Sequence, residues 1–100
     1  MAYQVVWSPR AIEDVEAIAS FIAKDSPSYA AAVVRKVLDT TTNLNKFPLS
    51  GRVVPELGNP AIREKLVYSY RIIYQVGTDT ITIAAVIHGK RLLESEINES

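Results

Sequence analysis

Residues 62–88 read IREKLV-YS-YRIIYQV-GTD-TITIAAVIH, and this stretch decides the fold. Ile62–Val67, Tyr70–Val76 and Thr80–His88 are short runs rich in β-branched and aromatic residues. They are separated only by Tyr68-Ser69 and Gly77-Thr78-Asp79, so each connection has to be a tight turn. Together they predict a three-stranded antiparallel meander. Tyr3 to Trp7 has the same character, and because a lone strand must pair with something, it is expected to join the sheet as a fourth strand.

Upstream of the meander the pattern is helical. Ser8-Pro9 and Ser26-Pro27 each set a hydroxyl able to cap exposed amides before a proline whose fixed φ suits the first helical position. Ile12, Val15, Ile18, Ala19 and Ile22 then recur at spacings of three and four, as do Ala30, Val33, Val34, Val37, Leu38, Thr41 and Leu44. The spacing predicts a helical hairpin over 9–24 and 27–46, turning at Asp25-Ser26. Pro48, Ser50, Gly51, Pro55, Gly58, Asn59 and Pro60 make the following stretch an ordered loop or lid. The order is β-α-α-β-β-β, an α+β fold with the hairpin on one face of an antiparallel sheet, in a single domain over 1–100.

Composition narrows the chemistry. The 100 residues are 48% hydrophobic and carry 11 basic and 11 acidic side chains, so no long-range field draws the chain to nucleic acid or acidic lipid. Cysteine is absent, which removes disulfides, thiolate zinc sites and thiol nucleophiles, and which suits a reducing compartment. One histidine and scattered carboxylates make no metal site, and no serine-centred motif or glycine-rich phosphate loop is present. The N-terminus shows no targeting segment and no run is long enough to span a bilayer, so the chain reads as soluble and unprocessed.

Strand alternation sorts the meander into two faces. Tyr70, Ile72, Tyr74 and Val76, with Ile81, Ile83, Ala85 and Ile87, are expected to face the helices. Ile62, Glu64 and Leu66 are assigned to the same side, with Glu64 a misfit tolerable near a strand end. Arg63, Lys65, Arg71 and His88 would then project together from the open face, with Lys90 and Arg91 just beyond it. Any one such arginine usually does no more than keep a surface soluble. A cluster of planar guanidinium forks on rigid strands is instead an anion site in waiting. A lone His at a strand end is ordinarily a solvated side chain, and as a catalyst it would serve as general acid or base. Trp7, Phe21, Phe47 and the tyrosines are expected in the core and its rim, and Glu94, Glu96 and Glu99 on a solvated end.

Trp7-Ser8-Pro9-Arg10-Ala11, Phe47-Pro48-Leu49-Ser50-Gly51-Arg52 with Val54-Pro55-Glu56, Ile62-Arg63-Glu64, Tyr70-Arg71-Ile72-Ile73-Tyr74 and Val86-Ile87-His88-Gly89-Lys90-Arg91 resemble, in order, the landmarks of ParE/RelE toxins. The resemblance implies the same β-α-α-β-β-β fold, a role as the toxin of a bacterial toxin–antitoxin pair, and a cognate antitoxin that wraps it in a hetero-oligomer. It also implies one of two cytoplasmic targets. RelE-like members cleave mRNA on the ribosome, whereas ParE-like members poison DNA gyrase, and neither route brings a cofactor. For the nuclease, Arg63, Lys65, Arg71 and Arg91 match the basic residues that hold phosphates and stabilise developing charge. The C-terminal tyrosine falls on Ile97, which cannot move a proton, so that chemistry would lean on His88. For gyrase, Arg63, Arg71, Lys90 and Arg91 would be the target-binding set. The His88-Gly89 pair, the Phe-Pro-x-x-Gly-Arg loop and the neutral charge look more like the ParE branch, since RNA affinity depends on phosphate neutralisation. Ala31, Val34 and Leu38 lie among more small and apolar residues than one core stripe needs. They are the expected antitoxin contacts, with close helix-to-helix packing as the other reading. A non-toxic binding or regulatory relative is the remaining alternative.

Overall fold

The two Ser-Pro pairs start the two helices of the computed structural model, which describes residues 2–91. Ser8, in an extended conformation, accepts the Ala11 amide at 3.0 Å and opens α1, Pro9–Ala23; Ser26 accepts the Tyr29 amide at 3.2 Å and opens α2, Pro27–Asn43. The turn between them closes on the Ile22 carbonyl, which accepts both the Asp25 and Ser26 amides. Residues 44–46, expected as helix, instead form i to i+3 turns onto Thr41, Thr42 and Asn43. Such tightening satisfies carbonyls at a helix end.

Among the described residues the sheet has five strands: β1 (Gln4–Trp7), β2 (Arg52–Val53), β3 (Ile62–Val67), β4 (Tyr70–Val76) and β5 (Thr80–His88). Their order is β1-β5-β4-β3-β2, and all pairs are antiparallel except β1 with β5, where Gln4 sits opposite Thr80 and Trp7 opposite Ile83. The N-terminal strand therefore finds its partner in the last strand of the meander. Strand β2 was not anticipated: two residues of the 48–60 loop pair with Arg63 and Glu64.

Helices and sheet meet in a core of Ala11, Val33, Val37, Leu44, Ile72, Tyr74, Ile81 and Ile83, with Val15, Ile18 and Ile22 packed against it. Removing each such aliphatic side chain from water contributes about 1.5–3 kcal/mol. The middle strand faces as expected, with Ile72 and Tyr74 inward and Tyr70 and Val76 at the rim.

Its neighbours depart from the expected alternation in two places. In β3 the parity is inverted: Val67 joins the helix-side core, and Arg63 and Lys65 stand opposite Tyr74 and Ile72 on that side. Glu64, opposite Ile73, is on the far face and fully buried. In β5 a register shift places Ile83 opposite Tyr74 and Ala85 opposite Ile73, so Ala84 is an extra, bulged residue. Ile81 and Ile83 face the helices as expected, but beyond the bulge Val86 does so, and Ala85 and Ile87 turn to the far face.

The bulge is pinned by α1. The Ser8 hydroxyl donates to the Ala84 carbonyl at 3.0 Å while accepting the Ala11 amide, and Asp14 Oδ2 accepts the Val86 amide at 2.9 Å. Backbone groups freed from the ladder are thereby satisfied. The far face is not left open: Val54 and Leu57 of the loop pack on Ile73, Ala85 and Ile87 in a second, smaller core.

Candidate functional site

Arg71 is the far-face cation of β4, and it is already engaged. Its Nη1 and Nη2 donate to Glu56 Oε2 and Oε1 at 2.7 and 2.8 Å, its Nε donates to Glu64 Oε1 at 2.7 Å, and Nη1 also donates to the Arg91 carbonyl at 3.0 Å. The other Glu64 oxygen accepts from Arg52 Nε. Only 6% of the Arg71 side chain is exposed, and none of Glu64. Hydrogen bonding to Glu56 holds the guanidinium well above its ordinary pKa, burial opposes this, and Glu64 reinforces it. The expected reading of Arg71 as an open phosphate clamp is corrected: its fork is filled by two carboxylates of the chain itself.

Of the other predicted basic residues, Arg63 and Lys65 do not join it. Arg63 lies across the sheet and ties down the loop, with Nε donating to the Pro60 carbonyl and Nη1 to the Gly51 carbonyl, both at 3.0 Å. It borders a closely fitted corner. The Tyr74 hydroxyl accepts the Gly51 amide and donates to the Pro48 carbonyl, each at 2.9 Å, and a Cβ on Gly51 would sit 2.5 Å from the Glu64 carbonyl oxygen. Burial raises the Tyr74 pKa, against the Gly51 amide, the Arg63 charge and Ser50. Lys65 is half-buried on the helix side beside Lys36, Thr40 and Phe47. A single open-face cluster of Arg63, Lys65, Arg71 and His88 therefore does not form. Parity was misassigned for β3, and the β5 bulge moves His88 to the side of Tyr70.

What does assemble is a cleft at the far end of β4 and β5. It holds about 510 Å³ and brings Arg71, His88, Lys90 and Arg91, four of the predicted site residues, together with Arg52, Glu56, Leu66 and Tyr68. The 88–91 turn is fixed by the Gly89 amide on the Ser69 carbonyl at 2.7 Å, the Lys90 amide on His88 Nδ1 at 3.2 Å and the Arg91 amide on the His88 carbonyl at 3.0 Å. The His88 ring stands edge-on to Tyr70 with centroids 5.8 Å apart. Leu66 and Tyr68 are 61% and 58% exposed at the cleft. Of these residues, Arg52, Glu56, Leu66 and Tyr68 have no site role in the sequence reading, where Arg52 and Glu56 are only landmarks of the resemblance and Leu66 is placed toward the helices. The signal for Leu66 and Tyr68 was an apolar pair at a hairpin, which reads equally well as core.

A second groove, of about 620 Å³, runs between the helices and is lined by Ala19, Ala23, Ala31, Val34 and Leu38. The three expected antitoxin contacts thus share one apolar surface. Among the described residues no group of three or more His, Asp or Glu side chains is placed to hold a metal ion, and no helix is long and apolar enough to cross a membrane. Residues Glu94, Glu96, Ile97 and Glu99 lie outside the described residues.

Residues 5–93 match the family described as the ParE toxin of the type II toxin–antitoxin system parDE. Toxin RelE2 of Caulobacter vibrioides is 32% identical over 90 residues, which span 89% of this chain and 98% of that protein. Among solved structures, the chromosomal ParDE system from P. aeruginosa superposes with a TM-score of 0.71 at 18% identity, covering 87% of this chain and 96% of that one. The archaeal RelE–RelB complex from Pyrococcus horikoshii does so at 0.64 and 18% identity, covering 92% and 100%. These distant structures share the α+β fold. With the family match over nearly its whole length, the chain belongs to the ParE/RelE superfamily, the toxins of type II toxin–antitoxin systems.

Proposed function

We propose that the chain arrests growth by inhibiting DNA gyrase through protein contact, with no catalysis of its own, and that a cognate antitoxin silences it in the cytoplasm. The observation carrying this reading is the engagement of Arg71 by Glu56 and Glu64. RNA cleavage needs donors converging on the phosphate where charge develops. Here Arg71 is filled, Arg63 is bound to loop carbonyls and Lys65 lies across the sheet, which supports a binding surface over a nuclease centre. The apolar groove at Ala31, Val34 and Leu38 suits an amphipathic antitoxin segment, and the solved relatives include RelE with RelB and YoeB with YefM.

The test is induction of this chain in a bacterium with and without the antitoxin from its locus, followed by plasmid topology in the arrested cells. Growth arrest with relaxed plasmid, relieved by the antitoxin, is the expected result. Arrest with normally supercoiled plasmid would count against gyrase, and Val34→Glu is expected to abolish relief by the antitoxin while leaving arrest intact.

A further inference from the structure

We propose that the turn Phe47-Pro48-Leu49-Ser50 is the surface by which the chain grips its target protein, fitting an apolar patch bordered by carboxylates. The proposal rests on the gyrase reading above and names the contact surface and the partner's chemistry. The turn is a fixed platform. The Ser50 amide donates to the Phe47 carbonyl at 3.1 Å, and Pro48 takes the second position, which its φ suits. From beneath, the Tyr74 hydroxyl holds the Pro48 carbonyl at 2.9 Å, and Arg63 Nη1 donates to the Leu49 and Gly51 carbonyls at 3.5 and 3.0 Å. The Phe47 amide donates to the Asn43 carbonyl at 3.3 Å and so ties the turn to the end of α2.

Pro48 and Gly51 are explained by the turn and by the close approach to β3, whereas Phe47 and Leu49 are not explained by the fold. Phe47, expected at the core rim, is 64% exposed and Leu49 is 60%, and neither belongs to either buried core. Turns favour Gly, Asn, Asp and Ser, so two large apolar side chains held outward on one present area that only a partner can remove from water. Phenylalanine is enriched at the buried centre of protein interfaces, and a preordered turn loses little freedom on binding.

The charges beside the turn select the partner. A pocket of about 440 Å³ between α2 and β3 is lined by Phe47, Ser50, Thr40, Asn43, Lys36 and Lys65, and no carboxylate of the described residues lines it. Among the described residues neither lysine has a hydrogen-bond or ion-pair partner. Their acidic neighbours in sequence face elsewhere: Asp39 lines the groove on the other flank of α2, and Glu64 is buried on the far face of the sheet with its arginines. Two unpaired ammonium groups next to an apolar pair fit a protein segment whose carboxylates flank an apolar patch. A nucleic acid could use the lysines and the Phe47 ring, but Leu49 gives a base no stacking surface, and two lysines release few counterions. The turn is also separate from the groove at Ala31, Val34 and Leu38, so one chain offers both surfaces.

The experiment uses the purified full chain, gyrase holoenzyme and relaxed plasmid. Phe47→Ser, Leu49→Ser and Lys36→Glu are each expected to raise the toxin concentration for half-inhibition on the order of 10-fold. Phe47→Leu and Lys36→Arg, which keep apolar area and charge, should stay within a few-fold of the wild type. Ile12→Ser, which removes an exposed apolar side chain from α1, should change nothing. Thermal melts check that the variants are folded. Inhibition by the wild type with folded Phe47→Ser, Leu49→Ser and Lys36→Glu equally potent would overturn this proposal and leave the gyrase reading standing. Absence of inhibition by the wild type would remove that reading and the proposal with it. Variants that escape the antitoxin but inhibit gyrase fully would assign the turn to the antitoxin. Plasmid binding by the toxin alone, lost in Phe47→Leu as well as in Lys36→Glu, would assign it to nucleic acid, and cosedimentation with anionic vesicles, lost in Phe47→Ser, to a membrane. Each of these three results overturns the proposal.

Discussion

Arg71 and Glu56 meet fork to fork, Nη1 to Oε2 at 2.7 Å and Nη2 to Oε1 at 2.8 Å, and so join the loop after β2 to the centre of the sheet. A bidentate pair of this kind binds both partners in one plane and leaves little of the guanidinium for a ligand. Glu64 occupies the remaining edge and is itself shared with Arg52. The far face is therefore held by a charge network in which the buried carboxylate depends on Arg71.

Removing that arginine should be severe. Arg71→Ala leaves Glu64 buried without its main counter-charge and is expected to lower unfolding stability by about 3–5 kcal/mol, read as a shift in the urea midpoint. Arg71→Lys should recover only part of this, because one ammonium cannot span both carboxylates with the guanidinium's geometry. A loss below about 1 kcal/mol in Arg71→Ala would mean that the network contributes little.

Gly51→Ala tests the corner beneath β2. The added methyl would lie 2.5 Å from the Glu64 carbonyl oxygen and 2.6 Å from the Tyr74 hydroxyl, neither of which sits on a flexible chain end. The expected loss is about 1–3 kcal/mol, the range for overpacking, seen as a lower melting temperature. An unchanged melt would show that β2 can move off the sheet without penalty.

Tyr74 gives the fold a signature in base. Burial raises its folded pKa above the ordinary value of 10.0, so the unfolded chain releases this proton first as pH climbs. Its contribution is complete below about pH 10, the unfolded tyrosine value, and is lost as pH rises from there through the folded value. Tyr74→Phe should flatten that alkaline limb. It should also lose about 1–2 kcal/mol at neutral pH, since the Gly51 amide and Pro48 carbonyl then lack their partner. Parallel urea titrations at pH 8 and pH 10.5 compare the two proteins, and an equal alkaline loss in both would exclude Tyr74 as its source.

The outline of this fold was legible because local chemistry and tertiary structure agree in it. Both Ser-Pro pairs cap helices, and the Tyr68-Ser69 and Gly77-Thr78-Asp79 breaks separate the strands where expected. The site was less legible because alternation alone does not reveal which face a strand presents. Glu64 flanked by Arg63 and Lys65 looked like a defect in an inward set, when it is the buried partner of Arg71 on a face that the loop covers. Ala84 carries no mark of a bulge; only the Ser8 and Asp14 contacts from α1 expose it, and its single extra residue turns His88 away from Arg71. The Val54 and Leu57 packing that closes the far face is likewise a long-range event.

Purified wild-type toxin assayed side by side on gyrase with relaxed plasmid and on programmed ribosomes with mRNA separates gyrase inhibition from mRNA cleavage. Loss of supercoiling, or cleaved DNA trapped with gyrase, is expected while the mRNA stays intact. His88→Ala is expected to inhibit gyrase within a few-fold of the wild type, since a gyrase inhibitor without catalysis would use one imidazole at the cleft edge only as a contact. Ribosome-dependent mRNA cuts by the wild type that His88→Ala reduces on the order of 10²-fold or more would contradict gyrase inhibition without catalysis, because that is the loss expected when a general acid or base is removed.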